Sequence, residues 1–490
     1  MSLTKVSYSM IQGAPINLVD YGAVGDGSTD DTVAIQNAIN ALGAQESGRL
    51  TCPNGASYKI TDTIDFTILG NVTRYYELDF AGAEFTWYGS DSGSDPMFYF
   101  YENKGLTVKN FTLLCNSVVA TSATVKGIKI DSLQPDGADA LVFSDFRIRL
   151  ANICIDLGSV GANQNRVSDC RFEHFLLEGS SVGVQTNSTN CDSMLFTQGV
   201  LSGCDYGFNF VRAGFNEINS CIGYACDPFI RVAGPIGPLT VISCQSEEGG
   251  LTNPTFLYRQ IYTGAATGTI SLHSCNIDNK IWLDYSSGIG SSTQTLNIYG
   301  GYFREMAVDA PDSTINLYGT EQTPGYTMTI AGTNSRCFNY GSRIQGTLID
   351  TANGYRPVSS IDTSFTPTII GTSSAGTATY SDQVGSYTRF ADLCYFQIHL
   401  VWTGGTGTGN LQIAGLPFTS ANNATKAYGT AINGYTSNVS LSAGNYLTAF
   451  VPSSATVLSL VQNPTGGGAV APVPYDAAGE ILISGWYKVA

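Results

Sequence analysis

The sequence predicts an all-β protein: a right-handed parallel β-helix with a short N-terminal capping helix and a C-terminal antiparallel β-sandwich-like domain. Two observations on the whole chain indicate this class. Its 490 residues include 55 glycines and only 13% charged residues, a composition that favours short strands and turns over long helices. Strand-like apolar patterns also recur at intervals of roughly 20–35 residues, the size of one repeating structural unit. We therefore expect an elongated repeat architecture.

Residues 1–16 are predicted to be an N-terminal leader, and residues 17–45 a capping segment with a helix. The segment NLVDYGAVGDGSTDDTVAIQNAINAL contains a glycine-rich turn, and Asp30 or Asp31 is suited to cap the helix that follows. Apolar residues then recur at helical spacing, at Ile35, Ala38, Ile39 and Leu42. We expect the apolar face of this short helix to cover the open end of a stack of β coils.

Residues 46–340 are predicted to form the β-helix, because one inward position, which we call the anchor, recurs from coil to coil. The anchors are Phe111, Phe146, Cys170, Gly199, Cys221, Cys244, Cys275 and Gly301. The residues three positions earlier are all apolar: Val108, Phe143, Val167, Phe196, Ile218, Val241, Leu272 and Ile298. Two positions after the anchors lie Leu113, Ile148, Phe172, Leu201, Gly223, Ser246, Ile277 and Phe303. Because strand side chains alternate, the odd offset of three predicts a bend in each coil.

The twelve cysteines are dispersed through the chain without CxxC pairs, so we expect neither a disulfide framework nor a zinc site. Four of them, Cys170, Cys221, Cys244 and Cys275, fall on the anchor column. This position predicts small buried thiols that lack the exposure and the neighbouring base of a catalytic nucleophile. Only three histidines are present, and no HExxH motif. We expect no metal and no cofactor.

Charge and hydropathy exclude two classes of partner. The formal net charge is −16, and Lys and Arg together number only 23, whereas a nucleic-acid-binding protein needs a basic surface. No run of eighteen apolar residues occurs, and the first residues, MSLTKVSYSMIQG, lack the apolar stretch of a secretory signal. We expect a soluble protein with no membrane insertion and no nucleic-acid partner.

The repeat fades after residue 340. Residues 341–359 are predicted to be a linker, and residues 360–490 a C-terminal β domain. The segments YTRFADLCYFQIHLVW and AGEILISGWYKVA resemble strands of an antiparallel sandwich. The glycine-rich GGTGTGNLQI lacks the lysine and the following helix of a phosphate-binding loop, so it is interpreted as a hairpin or surface loop.

The segment from Asn17 to Leu42, with GAVGDGSTDDTVAIQNAI inside it, resembles the opening motif of pectate-lyase-superfamily β-helix proteins, especially bacteriophage tailspikes and tail fibres. The resemblance implies a homotrimer on the phage tail of the virion that acts at the host cell surface. Its substrate would be a bacterial surface polysaccharide: capsule, exopolysaccharide or lipopolysaccharide. The shared motif is structural, so Asp26, Asp30 and Asp31 are assigned to turns and capping.

The C-terminal stretch that begins FTPTIIGTSSAGTATY also resembles a module at the ends of phage tail proteins. Such modules trimerise or bind glycans, and the C-terminal domain is expected to do one of the two. The short leader leaves little room for a virion-attachment domain, so docking onto another phage tail protein is one expectation.

A polar column lies three positions after the anchors, on an outward phase of the strand. It consists of Leu114, Arg149, Glu173, Ser202, Tyr224, Glu247, Asp278 and Arg304. Neighbouring residues add His174, Glu248, Asn279 and Glu305. Carboxylates, a phenol and guanidinium groups would thus line one face of the coils, across which a sugar chain fits.

Glu247 and Asp278 are the first candidates for catalysis. Stacked coils are roughly 4.8 Å apart, so the two carboxyl groups approach the ~5 Å separation of a retaining glycosidase pair. Glu173, Glu248 and Glu305 are the reserve candidates. The substrate-binding candidates are Tyr224, Trp282, Tyr285, Arg304 and His174. For the acidic residues the alternative is an ordinary solvated surface group, and for Trp282 it is core or trimer packing.

The leading functional hypothesis is endoglycosidic hydrolysis of a surface polysaccharide. The first alternative is a polysaccharide lyase, in which Tyr224 or His174 removes a proton beside a uronate carboxyl and Arg304 stabilises the developing charge. The second is a receptor-binding tail fibre that grips glycan without cleaving it.

Overall fold

The computed structural model describes residues 14–490 except 71–74, 91–94, 116–123, 134–136, 160–165, 189, 235, 251–254, 260–267, 284–293, 352–354, 358–362, 391–392 and 423–428. Most of the expected leader, and parts of the expected linker, lie outside the described residues. The chain divides into two compact units. One comprises Met1–Cys337 with Ser342–Tyr355, and the other comprises Phe338–Gly341 with Arg356–Ala490.

Short strands dominate the chain. The first strands are β1 (Ile16–Asn17), β2 (Asp26–Asp30), β3 (Gly48–Thr51), β4 (Ser57–Ile60), β5 (Ile64–Asp65), β6 (Tyr76–Trp87), β7 (Pro96–Tyr101), β8 (Leu106–Cys115), β9 (Lys126–Asp131), β10 (Ala138–Asp139), β11 (Val142–Arg149), β12 (Ile153–Leu157), β13 (Val167–Ser168), β14 (Arg171–Glu178), β15 (Val182–Asn187), β16 (Cys191–Asp192), β17 (Met194–Thr197) and β18 (Val200–Ser202). The next are β19 (Tyr206–Arg212), β20 (Asn216–Asn219), β21 (Ile222–Tyr224), β22 (Ile230–Val232), β23 (Leu239–Ile242), β24 (Gln245–Glu247), β25 (Thr255–Arg259), β26 (Gly268–His273), β27 (Asn276–Leu283), β28 (Gln294–Tyr299), β29 (Tyr302–Val308), β30 (Ser313–Tyr318), β31 (Glu321–Gln322), β32 (Thr327–Ile330), β33 (Arg336–Tyr340), β34 (Arg343–Ile344), β35 (Thr347–Asp350) and β36 (Tyr355–Pro357).

The C-terminal strands are β37 (Thr363–Phe365), β38 (Thr368–Gly371), β39 (Thr379–Phe390), β40 (Leu393–Thr403), β41 (Leu411–Ala414), β42 (Gly429–Ser437), β43 (Asn445–Val451), β44 (Val457–Pro464), β45 (Ala471–Pro472) and β46 (Gly479–Lys488). One α-helix, α1 (Thr32–Gly43), and two short 3₁₀ turns, Leu18–Tyr21 and Thr67–Leu69, complete the described elements. Among the described residues, no helix has the length and apolar character needed to cross a membrane.

The first unit is a parallel β-solenoid, which confirms the predicted fold class. Strands of successive coils pair in parallel, as β8 pairs with β11 and β11 with β14. Strand β14 then pairs with β17 before its bend and with β18 after it. Strands β10, β13 and β16 form a separate small parallel sheet. Each coil therefore covers the next, and no coil buries its apolar faces alone.

Helix α1 covers apolar surface at the start of the solenoid, as its spacing predicts. Ile35, Ala38, Ile39 and Leu42 are all completely buried. The N-cap residue of α1 is Asp31, whose side chain makes no capping hydrogen bond, while the Asp30 carboxylate before it accepts hydrogen bonds from the backbone N–H and the hydroxyl of Thr32, the first helical residue. Asp31 instead accepts from the backbone N–H groups of residues 24 and 25 in the glycine-rich turn. The acidic residues of the opening motif therefore hold local structure.

The predicted bend in each coil is a residue in the left-handed backbone conformation, immediately before the anchor. Asn110, Asp145, His174, Gln198, Ser220, Ser243, Ser274 and Gly300 form this corner column, with φ values from 50° to 64°. A left-handed residue rotates the chain, so the side chains on both sides of it point inward although their offset is odd. Non-glycine residues carry a cost in this conformation, which parallel pairing on both sides of the corner offsets.

The repeat register requires one correction, at the third coil. Phe146 pairs with Phe175, so the third anchor is Phe175 and not Cys170. The columns on either side shift by the same five residues: Phe172 replaces Val167, and Leu177 replaces Phe172. All the replaced and replacing residues are buried and apolar, so the hydrophobic pattern fits both registers. Main-chain hydrogen bonding decides between them.

Stacked aromatic rings fill the corrected columns. The Phe172 ring lies between those of Phe143 and Phe196, with centroid distances of 5.2 and 5.0 Å and nearly parallel planes. The next anchor is Gly199, where a β-carbon would lie 2.1 Å from the Phe175 ring. A glycine at this anchor thus makes room for the phenylalanine of the coil before it.

The second unit is one continuous antiparallel sheet in the order β37-β39-β40-β46-β42-β43-β44-β41-β38. The two strands at its ends, β37 and β38, are separated by only two residues in the chain, so the sheet curls until its ends meet. Its inner face buries a separate core that includes Phe396, Leu400, Trp402 and Ile481. The glycine-rich segment Gly404–Asn410 connects β40 to β41 and carries no helix.

We predict that replacing Phe172 with alanine lowers the free energy of unfolding by about 3–5 kcal/mol, because it removes the middle ring of a buried stack and leaves a cavity. Denaturant titration of variant and wild type measures this difference. Leu133→Ala, a change at a 58% exposed position, is the control and should shift stability by less than about 0.5 kcal/mol. Equal effects of the two substitutions would contradict the packing described here.

We also predict that the cysteines are unreactive until the protein unfolds. All twelve are unpaired and buried, and burial raises the pKa of Cys170 and of Cys275 to about 12. Thiols with raised pKa values carry almost no thiolate at neutral pH, and the thiolate is the form that reacts. Labelling with a thiol reagent should be slow in the native state and complete in denaturant. Rapid native labelling, or disulfides that persist in nonreducing denaturant, would refute the assignment.

Candidate functional site

The outward polar column exists, with the same correction at the third coil. Backbone pairing aligns Arg149 with Glu178, Glu178 with Ser202, Ser202 with Tyr224, and Tyr224 with Glu247. Glu173 therefore does not belong to this column. It lies before the corner of its coil, aligned with residues 144 and 197 in the neighbouring sheet.

Glu178 occupies the position in the polar column that the sequence analysis assigned to Glu173, and its carboxylate forms ion pairs. Its carboxylate accepts a hydrogen bond of 2.7 Å from Nε of Arg147, and Nε of Arg149 lies 3.2 Å away. Two guanidinium groups thus neutralise one carboxylate. This end of the column presents a paired surface with no carboxylate left for acid–base work.

The middle coils bring together Glu247, Glu248, Asp278, Tyr302 and Arg304, which we call the carboxylate cluster. The Arg304 guanidinium lies 2.6 Å from Oε1 of Glu248 and 3.5 Å from Oδ1 of Asp278. The Tyr302 hydroxyl donates a 2.8 Å hydrogen bond to the same Asp278 oxygen. Two carboxyl groups, those of Glu248 and Asp278, therefore share one guanidinium, in contrast to the excess of cations at Glu178.

Strand register explains why these side chains meet. Gln245 pairs with Asn276 and Asn276 with Tyr302, so Glu247, Asp278 and Arg304 follow in the same outward phase of three consecutive coils. Side chains on neighbouring coils of a parallel stack are roughly 4.8 Å apart at their backbones. Glu248 follows Glu247 where the strand ends, and it reaches Arg304 two coils away.

Tyr302 is a donor in this arrangement. Burial, followed by its hydrogen bond to Asp278 and by the charges of Asp278 and Glu247, raises the pKa of its phenol above the usual value. Arg304 opposes these effects. A raised pKa means that the phenol keeps its proton at neutral pH and orients the Asp278 carboxylate by donating to it.

Glu247 has fewer partners. One of its oxygens accepts a 2.8 Å hydrogen bond from the Gln245 side chain two residues earlier. Tyr224 lies on the preceding coil, directly aligned with Glu247, and its side chain is 45% exposed. An exposed aromatic ring beside a carboxylate is a suitable surface for stacking a sugar ring.

Sequence reasoning missed two members of this site, Tyr302 and Tyr326. The Arg304 guanidinium lies over the Tyr326 ring at 5.5 Å from its centroid, a cation–π contact that helps to hold the arginine in place. Tyr302 stands two residues before Arg304 and therefore shares its outward phase, a signal that was present in the sequence. Tyr326 follows a turn of another coil, and its proximity to Arg304 depends on the fold.

Glu305 and Trp282 lie in a different set of contacts. Glu305 forms a 3.0 Å ion pair with Lys280, and the Lys280 ammonium lies 5.0 Å from the centre of the Trp282 ring. The Trp282 indole N–H donates to Asp309 at 2.8 Å. Trp282 follows the buried Asn279, beyond the register shift in β27. Tyr285 lies outside the described residues.

His174 is the corner residue of the third coil and lies in a second polar region, away from the carboxylate cluster. It lies with Asp145 in an open groove of about 760 Å³, and its Nδ1 is 3.8 Å from the Asp145 carboxylate. Both side chains are more than half exposed. Asp79, Asn110 and Arg147 also line this groove. The groove therefore collects polar groups several coils before the carboxylate cluster.

Within the part of the chain that the structure describes, no three histidine, cysteine, aspartate or glutamate side chains are arranged to hold a metal ion. The chemistry available at the carboxylate cluster is that of carboxyl groups, one phenol and one guanidinium. Such a set can transfer protons and stabilise charge, as glycoside hydrolysis requires.

Comparison with known proteins finds a family model that matches the first coils of the solenoid. Residues 15–221 match the family model described as rhamnogalacturonase A/epimerase, pectate lyase-like. The matched segment contains the capping segment, the corner groove and Glu178, whereas the carboxylate cluster lies in the coils that follow it.

Comparison with solved structures finds a similar fold over nearly the whole chain in one of them. The Dettilon tailspike protein superposes with a TM-score of 0.54 at 15% identity, over 97% of this chain and 94% of that one. The endo-xylogalacturonan hydrolase of Aspergillus tubingensis has a TM-score of 0.45 at 13% identity, over 70% and 95% of the two chains. The tailspike protein of Acinetobacter baumannii phage AM24 has a TM-score of 0.43 at 10% identity, over 97% and 83%. The chain therefore shares the fold of the Dettilon tailspike protein.

Proposed function

We propose that this protein is a bacteriophage tailspike that binds a bacterial surface polysaccharide and cleaves it by endoglycosidic hydrolysis. The observation that carries the proposal is the carboxylate cluster, where Glu247 and Asp278 extend from consecutive coils of an outward face. The family match of the first coils and the tailspike-like fold support the assignment to a phage tail. The protein would be part of the virion, docked to another tail protein, and would act at the host cell surface.

Hydrolysis of a glycosidic bond needs one carboxyl group that donates a proton and one carboxylate that acts as base or nucleophile. Asp278 suits the role of base or nucleophile, because the Tyr302 hydroxyl donates a hydrogen bond to its carboxylate and the Arg304 guanidinium lies 3.5 Å away. Glu247 suits the role of proton donor, because the Gln245 amide hydrogen-bonds to one of its carboxyl oxygens and leaves the other to protonate the leaving group. Adjacent coils are roughly 4.8 Å apart at the backbone, a spacing that would allow the ~5 Å carboxyl separation of a retaining mechanism.

Arg304 and Glu248 would position the reacting groups. Their 2.6 Å ion pair holds the guanidinium between two coils, where it orients Asp278. Tyr224, exposed on the coil before Glu247, would stack against a sugar ring. The corner groove with Asp145 and His174 lies about three coils from Glu247 on the same face, within reach of a long glycan.

Elimination is the alternative reaction, and it would use Arg304 to bind a uronate carboxylate. Of the two candidate bases, Tyr224 lies three coils before Arg304 and His174 lies in the corner groove. The phenol of Tyr302, in the same outward phase as Arg304, has a raised pKa, which makes it a poor base at neutral pH. These two observations favour hydrolysis over elimination.

We predict that Glu247→Gln and Asp278→Asn each lower turnover of the polysaccharide by a factor of about 10² or more while leaving binding intact, since each removes the acid–base group but keeps its size. Product analysis by mass measures this, and also separates hydrolysis from elimination, which leaves an unsaturated sugar. Glu217→Gln, which changes an outward glutamate of the neighbouring sheet, is the matched control and should retain full activity.

Two results would contradict the assignment. If both variants cleave at wild-type rates, this pair is not catalytic. If the wild-type protein binds bacterial polysaccharides but releases no shorter products from any of them, the protein is a receptor-binding fibre that grips glycan without cleaving it.

We further predict a homotrimer, because the outward face carries apolar side chains that a monomer leaves in water. Val200 and Ile222 are aligned on consecutive coils of this face, and Ile222 is 36% exposed. Threefold association would cover such flanks. Sedimentation equilibrium at several concentrations should give three times the chain mass. A mass of one chain at every concentration would refute the trimer.

A further inference from the structure

The outer face of the C-terminal sheet carries a groove that neither the family match nor the proposed hydrolysis uses. It spans strands β39, β40, β46 and β42 and has a volume of about 410 Å³. The outward side chains around it lie in two rows across the strands, because cross-strand partners in an antiparallel sheet point to the same side. Every residue that lines it is uncharged.

The first row is aromatic. Tyr395 of β40 pairs directly with Trp486 of β46, and the two side chains are 48% and 38% exposed. On the opposite face of the same strands, Phe396 and Tyr487 are buried in the core. Large aromatic side chains therefore occupy both faces of these strands, although only one face has a core to cover. Exposed rings of this kind are a feature of binding surfaces.

The second row is polar. Ser386 pairs with Gln397, and Gln397 with Ser484, so that two hydroxyls and an amide cross three adjacent strands beside the aromatic pair. None of these three side chains forms a hydrogen bond within the described part of the chain. Ile432, which is 72% exposed, ends the row on β42. The groove therefore has flat apolar rings on one side and free neutral donors and acceptors beside them.

The backbone forms the floor between Ser484 and Trp486. A β-carbon at Gly485 would lie 2.3 Å from the carbonyl oxygen of Thr430. Glycine is therefore required here by the close approach of the next strand. The Gly485 main chain lines the groove between Ser484 and Trp486.

We propose that this groove is a binding site for a neutral glycan. A hexose ring has an apolar face, which stacks on aromatic rings, and a rim of hydroxyl groups, which exchange hydrogen bonds with hydroxyl and amide side chains. The Tyr395–Trp486 pair and the row of Ser386, Gln397 and Ser484 offer both kinds of contact side by side. With no cation in its lining, the groove has nothing to pair with the carboxylate of a uronate.

A second copy of the chain fits this face less well. A flat protein partner would bury three polar side chains that have no partner of their own, and each unsatisfied group costs free energy. A glycan carries hydroxyl groups at every edge and satisfies such groups as it binds. The site is independent of the proposed hydrolysis, because it involves neither Glu247 nor Asp278.

The test uses the full-length chain with Glu247→Gln and Asp278→Asn, so that no ligand is cleaved. Maltohexaose, cellohexaose and laminarihexaose are titrated by calorimetry and by tryptophan emission, with hexagalacturonate as the charged ligand of equal length. At least one neutral hexasaccharide should bind in the micromolar to millimolar range, and hexagalacturonate should bind at least about tenfold more weakly.

Trp486→Ala and Tyr395→Ala should each weaken that binding by about 3- to 10-fold, the usual effect of losing one aromatic stacking contact. Tyr446→Ala removes an equally exposed tyrosine from β43, outside the groove, and should leave binding unchanged. Polysaccharide cleavage by otherwise wild-type protein should be the same with and without Trp486→Ala on short substrates, which separates this site from the catalytic one.

Three results would overturn the proposal. The first is that no neutral hexasaccharide binds in the millimolar range. The second is that binding survives both groove substitutions as it survives Tyr446→Ala. The third is that Trp486→Ala lowers the mass of the protein in sedimentation equilibrium, which would make this face a subunit interface.

Discussion

The structure of the first unit depends on one constraint, the parallel hydrogen-bond register between successive coils. The left-handed residue before each anchor turns the chain at the same place in every coil, so that the ladders on both sides of the corner stay aligned. The rings of Phe143, Phe172 and Phe196 can stack only because that alignment holds. Packing and hydrogen bonding therefore support the same register, and a change in one would disturb the other.

The same constraint decides what the outward face can do. Residues in one outward column are brought to within roughly 4.8 Å at their backbones, whatever their separation in the chain. At Glu178 this arrangement produces a carboxylate held by two arginines. At Arg304 it produces one guanidinium shared by the carboxyl groups of Glu248 and Asp278. The difference in local charge balance distinguishes a structural ion-pair cluster from a site suited to proton transfer.

In the C-terminal sheet, the alternation of side chains along each strand separates a buried face from an exposed one. One face of β40 and β46 buries residues such as Phe396 and Tyr487, while the other presents Tyr395 and Trp486 to solvent. Because the sheet curls around a single core, its outer face has no partner within the described residues of its own unit. The polar row through Gln397 makes this face unsuited to cover by an apolar partner, because such a partner would leave the amide without a hydrogen bond.

Local pattern was sufficient to predict the capping helix, the repeat and the candidate pair Glu247 and Asp278. Helical spacing determines which face of α1 is buried, and a repeated apolar phase determines which residues of a coil point inward. These properties depend on neighbours a few residues away. The domain boundaries and the site assignments themselves remain predictions.

The tertiary structure alone decided the register of the third coil and the partners within the site. A shift of five residues there places buried apolar residues in every column, so hydrophobicity does not separate Cys170 from Phe175 as the anchor, and only the main-chain ladder does. Glu173 consequently left the polar column, and Glu178 entered it. The Arg304 contacts with Glu248 and Tyr326 join different coils whose loops vary in length. A sequence pattern shows which face of a strand each side chain occupies. Which side chains of different coils come into contact is determined by the path of the intervening loops.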